Sequence, residues 1–331
     1  MWLSKLKALT GFFFLTVSLS VPGWAAVPGV PGTVNYVEGK AAIGSQALNS
    51  KSIGWAQLQP GQSITTENGM VEVLLTPGVF LRLGHDSSAK MISPALANTE
   101  VELTKGHAMV EADQIHKAND IRIVEGNAST RLAKTGLYDF DIDQGQVRVF
   151  KGEATVREDD RQVKVKGGHE VYLETSGKLK AKKFDKENYQ GGLYSFSSLR
   201  SDYLAEANQQ AAQIYVTNGW LWGGPGWWWN PWFGGYDFFP TAGVFYSPFG
   251  LGFYSPLAYG APYAVPYWGW RGGYSGVPIN TPRPFPRDVR PPAGVSGPRF
   301  GAAPMAGSGF AHGPGGFAHG PGAGGFHGVM R

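Results

Sequence analysis

Period-two alternation runs through the first half of the chain. Val71-Glu72-Val73, Leu81-Arg82-Leu83, Val101-Glu102-Leu103, Ile121-Arg122-Ile123, Tyr138-Asp139-Phe140-Asp141-Ile142, Val147-Arg148-Val149 and Val163-Lys164-Val165 each put apolar side chains on one side and polar ones on the other. Successive side chains of a strand point to opposite faces, so these runs predict strands with one face in a core and one in water. Gly61, Asn68-Gly69, Pro77-Gly78, Gly106, Gly126-Asn127, Gly145, Gly152 and Gly167-Gly168 separate them. Turn signals at intervals of about ten residues predict a sandwich, a roll or a solenoid of short strands. The expectation for residues 26–184 is one all-β domain, with no long amphipathic helix inside it.

The period changes after residue 195. Leu199, Tyr203, Leu204, Ala207, Ala211 and Ile214 recur at helical spacing, which predicts a helix over 196–218. Ser197 or Ser198 can cap its start and Asn218-Gly219 its end. It is read as a helix packed on the β-domain or a neighbour, with dimerisation as the alternative. Residues 219–275 then become rich in aromatics, Gly and Pro, with only Asp237 and Arg271 charged. A short repeat pairs Phe245-Tyr246-Ser247-Pro248-Phe249-Gly250 with Phe253-Tyr254-Ser255-Pro256-Leu257. Residues 276–331 are a Gly/Pro/His-rich tail, expected to be disordered because such repeats build no core.

The first residues place the chain in a compartment. Lys5 and Lys7 precede an uncharged apolar stretch from Leu9 to Val21, and Gly23-Trp24-Ala25 puts small residues at −3 and −1 of a cut before Ala26. That order predicts a cleaved signal peptide over 1–25. The apolar run falls short of the roughly 20 residues that span a bilayer, and no later segment supplies a transmembrane helix. The expected location is extracytoplasmic: periplasmic, envelope-associated or secreted. The chain has no cysteine, so an exported domain must be held by its own core. The net charge of +4 is misleading. Residues 26–195 carry 20 basic against 21 acidic side chains, so there is no electrostatic footprint for nucleic acid.

Candidate chemistry is sparse. None of the seven histidines pairs with another at helical metal spacing, and there is no nucleophile elbow or phosphate loop. Asp139, Asp141 and Asp143 could gather calcium, but alternation reads them as the wet face of a strand. Glu158-Asp159-Asp160 reads as a solvated turn, and Lys178, Lys180, Lys182, Lys183 and Lys186 as a solvated linker. No enzyme, metal or cofactor is expected. The distinctive feature is Trp227-Trp228-Trp229-Asn230-Pro231-Trp232-Phe233. Gly and Pro interrupt it, so no regular helix or strand is expected to bury it all. It either caps the β-domain or forms an interaction surface, since aromatics are enriched at interfaces and membrane boundaries. Trp227, Trp228, Trp229, Trp232 and Phe233 are the candidate interaction residues. The candidate partners are an envelope protein or polysaccharide, a membrane surface, or a second copy.

The β-region resembles the FecR-like domain family. Gly32-Thr33-Val34 is similar to its first strand, Gly61-Gln62-Ser63-Ile64-Thr65-Thr66 to its Gly-x-x-Ile-x-Thr turn, and Val71 to Leu83 to its strand–turn–strand pair. Thr76-Pro77-Gly78 stands where the family usually has Asp-Gly-Ser. Gly106 to Glu111, Gly136 to Ile142, Gly152-Glu153-Ala154-Thr155-Val156 and Gly167-Gly168-His169-Glu170-Val171 resemble its later turns and strands. The resemblance implies a compact roll- or solenoid-like β-fold that binds other proteins and has no catalytic residues. In the best-known members this domain is the extracytoplasmic part of a sigma-factor regulator, joined to a cytoplasmic anti-sigma segment by one membrane helix. Neither pattern is found in this sequence. The expectation is therefore a binding module working outside the cytoplasm, or a structural or adhesive envelope protein assembled through its tail.

Overall fold

The computed structural model describes residues 29–173, 178–217 and 224–259. The signal-like segment and the tail after Tyr259 lie outside the described residues. The chain begins with β1 (Val34–Ile43), β2 (Gln46–Ala47), β3 (Ser63–Thr76), β4 (Val79–Leu83) and β5 (Ser88–Ala95). It continues with β6 (Asn98–Lys105), β7 (His107–Ala112), β8 (Ile121–Glu125), β9 (Ala128–Leu132) and β10 (Gly136–Asp141). Then come β11 (Gln146–Lys151), β12 (Glu153–Glu158), β13 (Arg161–Lys166), β14 (His169–Tyr172) and β15 (Lys182–Lys183). Among the described residues the fold is all-β, as the alternation predicts, with a single α-helix.

The fifteen strands form one hydrogen-bonded sheet in the order β13-β12-β9-β8-β6-β5-β3-β4-β7-β10-β11-β14-β15, with β1 laid along β3 and β2 along β1. Among the described strands only β6 and β8 run parallel. β3 joins the two halves: Ser63–Thr65 pair with β5, while Val71–Thr76 pair with β4. Between these stretches Gly39 of β1 faces Gly69 of β3. A Cβ on Gly39 would lie 2.1 Å from the Asn68 carbonyl oxygen, so only glycine lets the two backbones approach there. The sheet folds back on itself as a roll. Val71, Val73, Leu81, Val110, Phe140 and Val147 of one half pack against Met91, Val101, Ile123, Val156 and Val165 of the other in one buried cluster.

The opposite face of β3, β4, β7, β10 and β11 departs from expectation. Met70, Glu72, Leu74, Phe80, Arg82, Met109, Glu111, Leu137, Asp139, Arg148 and Phe150 point away from the roll, yet all are buried. A second layer covers them. It consists of the helix α1 (Gly192–Thr217) and two hairpins, β16 (Gly226–Asn230) with β17 (Gly235–Phe239) and β18 (Val244–Tyr246) with β19 (Gly252–Tyr254). Alternation reports that the faces differ; it does not report that the charged one is wet.

The helix also differs from its predicted register. It starts at Gly192, and Ser197 lies fully buried inside it rather than capping it. Leu204, Ala207 and Ala211 are buried as predicted, but Leu199 and Tyr203 are each 41% exposed. The buried stripe runs instead through Phe196, Arg200, Ser201, Leu204 and Asn208. A helix laid on a charged sheet must bring polar groups to it, so apolar periodicity alone misplaces its inner face. Among the described residues no helix is long and apolar enough to cross a membrane.

Candidate functional site

The site is built from the sheet outward. Register places Glu72 of β3 opposite Arg82 of β4, and Glu111 of β7 lies on the same face one strand further. Arg82 Nε donates to Glu72 Oε2 at 2.8 Å, and its Nη1 donates to Glu111 Oε2 at 2.5 Å. From the helix, Arg200 donates to Glu72 Oε1 at 2.9 Å, and the Ser201 hydroxyl donates to Glu111 Oε1 at 2.5 Å. Burial opposes ionisation of Glu72, yet the Arg200 and Arg82 guanidiniums hold its carboxyl down at about 2. Asp113, at the end of β7, is pushed well above the usual carboxylate range by burial and by Glu111. The result is an ion cluster sealed between sheet and helix. In such a cluster each buried charge depends on its partners, and removing one leaves the other uncompensated.

A second cluster lies at the other end of the same face. Arg148 of β11 donates to Asp139 Oδ2 at 2.8 Å and to Glu170 at 3.3 Å, and its guanidinium stacks 3.9 Å over the Tyr189 ring. His107 also meets Asp139. Burial works against a charge on that imidazole, but the hydrogen bond and charge of Asp139 raise its pKa above the ordinary histidine value. Asp139 is therefore a buried ion-pair partner, not part of a wet face, because the covering layer removes the water. Ser87 hydrogen-bonds the backbone of His85 and His107 rather than the imidazole, so these groups form no Ser–His–Asp relay. Among the described residues no group of three acidic or histidine side chains could hold a metal ion.

The aromatic run does form a strand. Trp227, Trp228 and Trp229 lie on β16, paired with Phe238, Asp237 and Tyr236 of β17. Trp227 is 4% exposed and packs edge-on against Phe80 of the sheet at 4.9 Å. Trp228 turns the other way to Tyr215 of the helix, and Trp229 packs against Tyr236. Gly54 makes room for Trp229: its φ is +78°, and a Cβ there would lie 2.3 Å from the indole ring. Pro231 and Gly234 sit in the turn, not in the strands. Asn230 organises that turn, its Oδ1 accepting from the backbone N–H of Trp232 and Phe233 while its amide donates to Asp237 at 2.6 Å. Burial raises the Asp237 carboxyl to about 7 against that amide and Arg200.

Two asparagines fasten the hairpins. Asn35 of β1 donates to Glu72 at 3.0 Å and to the Tyr236 carbonyl at 3.2 Å, and accepts from the Tyr236 N–H at 2.7 Å. Asn208 of the helix donates to the Phe238 and Tyr254 carbonyls and accepts from the Tyr254 N–H at 2.6 Å. The short repeat supplies β18 and β19, and its Phe253 is fully buried against Phe238. Of the five candidate residues, Trp227, Trp228 and Trp229 thus act mainly as packing. Trp232, at the hairpin tip, is 65% exposed. Phe233 lies on the Arg200 guanidinium, which also stacks 4.2 Å over Tyr36. Leu199 and Tyr203, one helical turn apart and exposed, flank Arg200 in the sequence. Sequence reasoning missed Tyr36 and Arg200; Arg200 stands on a helix face whose polar members, Ser197, Ser201 and Asn208, give no hint that it is buried.

The remaining sequence candidates are scattered. Glu158 is fully buried and pairs with Arg161 at 2.5 Å rather than being solvated, while Asp159 is exposed at the turn. Lys182 and Lys183 form the edge strand β15. The Gly/Pro/His-rich tail, residues 276–331, lies outside the described residues.

The family model described as FecR protein matches residues 62–167. No curated protein matches the chain. Two crystal structures of a candidate anti-sigma factor from Parabacteroides distasonis ATCC 8503, at 2.50 and 1.65 Å, are similar to it at 15% and 14% identity, each with a TM-score of 0.34. Each match covers 39% of this chain and 62% of the other, so this chain spans less than two thirds of that protein's length. Alternating strands, glycine turns and the match to the FecR protein family model coincide over residues 62–167, a stretch set within a larger fold that includes the helix and both aromatic hairpins.

Proposed function

We propose that this chain is a non-enzymatic binding module of the cell envelope, working outside the cytoplasm. A FecR domain suggests a regulatory or signal-transducing role, and the charge–apolar–small-residue order of residues 1–25 supports export. The observation that carries the reading is Trp232, 65% exposed on a turn fixed by Asn230 and followed by Phe233, which packs on the Arg200 guanidinium. Exposed tryptophan and tyrosine side chains on a rigid support are among the residues that dominate protein recognition energies, and Tyr203 is exposed on the helix. The ligand is therefore an envelope protein or polymer met by this aromatic face. The rival reading, assembly through the aromatic tail, loses much of its material, because Trp227 and Phe253 are spent on the interior. Co-sedimentation of the full chain with isolated envelope fractions tests the proposal. Trp232→Ala and Tyr203→Ala, both folded by circular dichroism, should lower the bound fraction by about tenfold, the size expected of a lost hot-spot side chain. Unchanged binding by both variants refutes it.

A further inference from the structure

Trp55 is the most exposed large apolar side chain among the described residues, at 77%. It stands on a loop that is held firmly. The Gly54 N–H donates to the Val34 carbonyl at 2.8 Å, and the Trp55 and Ala56 N–H groups both donate to the Ser52 carbonyl, at 3.1 and 2.8 Å. Asn49 caps the preceding 3-10 turn, Ser50–Ser52, its side chain accepting from the Lys51 N–H at 2.9 Å. The Trp229 ring packs on Gly54, so the aromatic hairpin props the same loop. An indole on a fixed backbone is presented at little entropic cost, since tryptophan has only two side-chain torsions to order.

Trp55 lines a cavity of about 560 Å³, within the range of about 300–1,000 Å³ typical of small-ligand sites. Amides dominate the rest of its wall: Gln46, Asn49, Gln57, Gln59 and Gln62. It holds no acidic side chain, and Lys51 is its one charge. Three of the amides order one another. Gln57 Nε2 donates to the Pro31 carbonyl at 3.1 Å, Gln59 Nε2 donates to Gln57 Oε1 at 2.6 Å, and Gln62 Oε1 accepts from the Gln59 N–H at 2.9 Å. Those bonds leave Gln59 Oε1 as an acceptor, and Gln62 Nε2 and Asn49 Nδ2 as donors, without partners among the described residues. Asn49, Gln59 and Gln62 are exposed, so a ligand can reach them.

An ionised carboxylate only accepts hydrogen bonds and an ammonium only donates them, whereas a primary amide does both from adjacent atoms. A hydroxyl has the same double capacity, so an amide wall matches neighbouring hydroxyl groups. The indole supplies the complement, an apolar and weakly negative face that suits the C–H side of a sugar ring. We propose that this cavity binds a neutral sugar chain, one pyranose ring lying on Trp55 and its hydroxyls meeting Asn49, Gln59 and Gln62. An apolar peptide fits less well, because unpaired amides would be buried beneath it. A proline-rich segment docks in grooves lined by several aromatics, and this wall has one. Trp232, Phe233 and Arg200 are not in the wall, so the site does not depend on that aromatic face binding anything.

The test is calorimetric titration of the full chain with maltohexaose, cellohexaose and the hexamer of N-acetylglucosamine, and with nonaproline as the peptide control. Saturable binding of at least one hexasaccharide below about 10 mM supports the site. Trp55→Ala should weaken it about tenfold or more, the loss expected of a central aromatic contact. Trp55→Phe should keep most of the affinity, because a ring remains. Gln59→Leu should weaken it about fivefold, the size of one lost hydrogen bond, and covers the case in which Trp55→Ala does not fold. No saturation by any hexasaccharide, or binding of nonaproline in their place, would overturn the proposal. So would unchanged affinity in folded Trp55→Ala, or in Gln59→Leu where Trp55→Ala does not fold.

Discussion

Replacing Arg82 with methionine puts the sealed ion cluster to the test. Arg82 is fully buried and joins Glu72 at 2.8 Å to Glu111 at 2.5 Å. Methionine keeps the aliphatic stem and removes the charge. Glu72 would still be held by Arg200 at 2.9 Å and by Asn35 at 3.0 Å. Glu111 would keep only the Ser201 hydroxyl, next to a buried Asp113. Two arginines facing two ionised carboxylates become one. Breaking a buried pair from one side costs about 3–5 kcal/mol, most of it the penalty of the stranded charge. Urea unfolding followed by circular dichroism should show that loss at pH 7 with little change in the slope of the transition. The double variant Arg82→Met with Glu111→Met should recover about 1.5 kcal/mol or more, because the stranded carboxylate is gone. A loss below about 1 kcal/mol for the single variant, or strict additivity in the double, would refute the reasoning.

Three further outcomes are expected. Trp227→Ala should cost about 3–5 kcal/mol in the same assay, whereas Trp232→Ala should stay within about 0.5 kcal/mol, which separates the packing tryptophan from the presented one. Asn208→Leu strands the Phe238 and Tyr254 carbonyls and the Tyr254 N–H, so it should lower stability by about 2 kcal/mol or more and quench-expose tryptophan fluorescence as the hairpins loosen. The pH profile of stability should fall at both ends. Glu72, depressed to about 2, contributes stability above its unfolded value of 4.5 that is lost as pH falls toward 2, on the order of 3 kcal/mol. Glu125, raised to about 8, favours folding below 4.5 and loses that contribution as pH rises to 8, up to about 5 kcal/mol, so Glu125→Gln should reduce the alkaline fall, the raised carboxyls of Asp113 and Asp237 keeping the rest.

Much of this architecture was legible from the chain alone. Strand after strand sits where alternation and glycine turns put it, since a pleated strand leaves a period of two whatever it packs against. Less legible was what covers the charged face. Glu72, Arg82, Asp139 and Arg148 have the same alternating signature whether they meet water or each other. Their partners, Arg200, Ser201 and Asn35, lie far away in sequence, and no local rule connects them. The tryptophan run follows half of its expectation: Pro231 and Gly234 form a turn, so the run is not buried whole, and Trp232 is left exposed while Trp227 helps cap the β-domain. Trp232 and Phe233 are legible as candidates, but the stacking of Phe233 and Tyr36 on Arg200 exists only in three dimensions.

The clasp between Asn35 and Tyr236 spans 201 residues, and that between Glu72 and Arg200 spans 128. During synthesis, therefore, the outer face of the first strands waits for a cover that is made last. That face alternates charged side chains, which water tolerates, with apolar ones such as Met70, Leu74, Phe80 and Met109, which it does not. Contacts this distant in sequence form slowly. A chain cut before Gly192 would therefore carry a half-apolar sheet face with nothing to seal it, and should aggregate where the longer chain stays soluble.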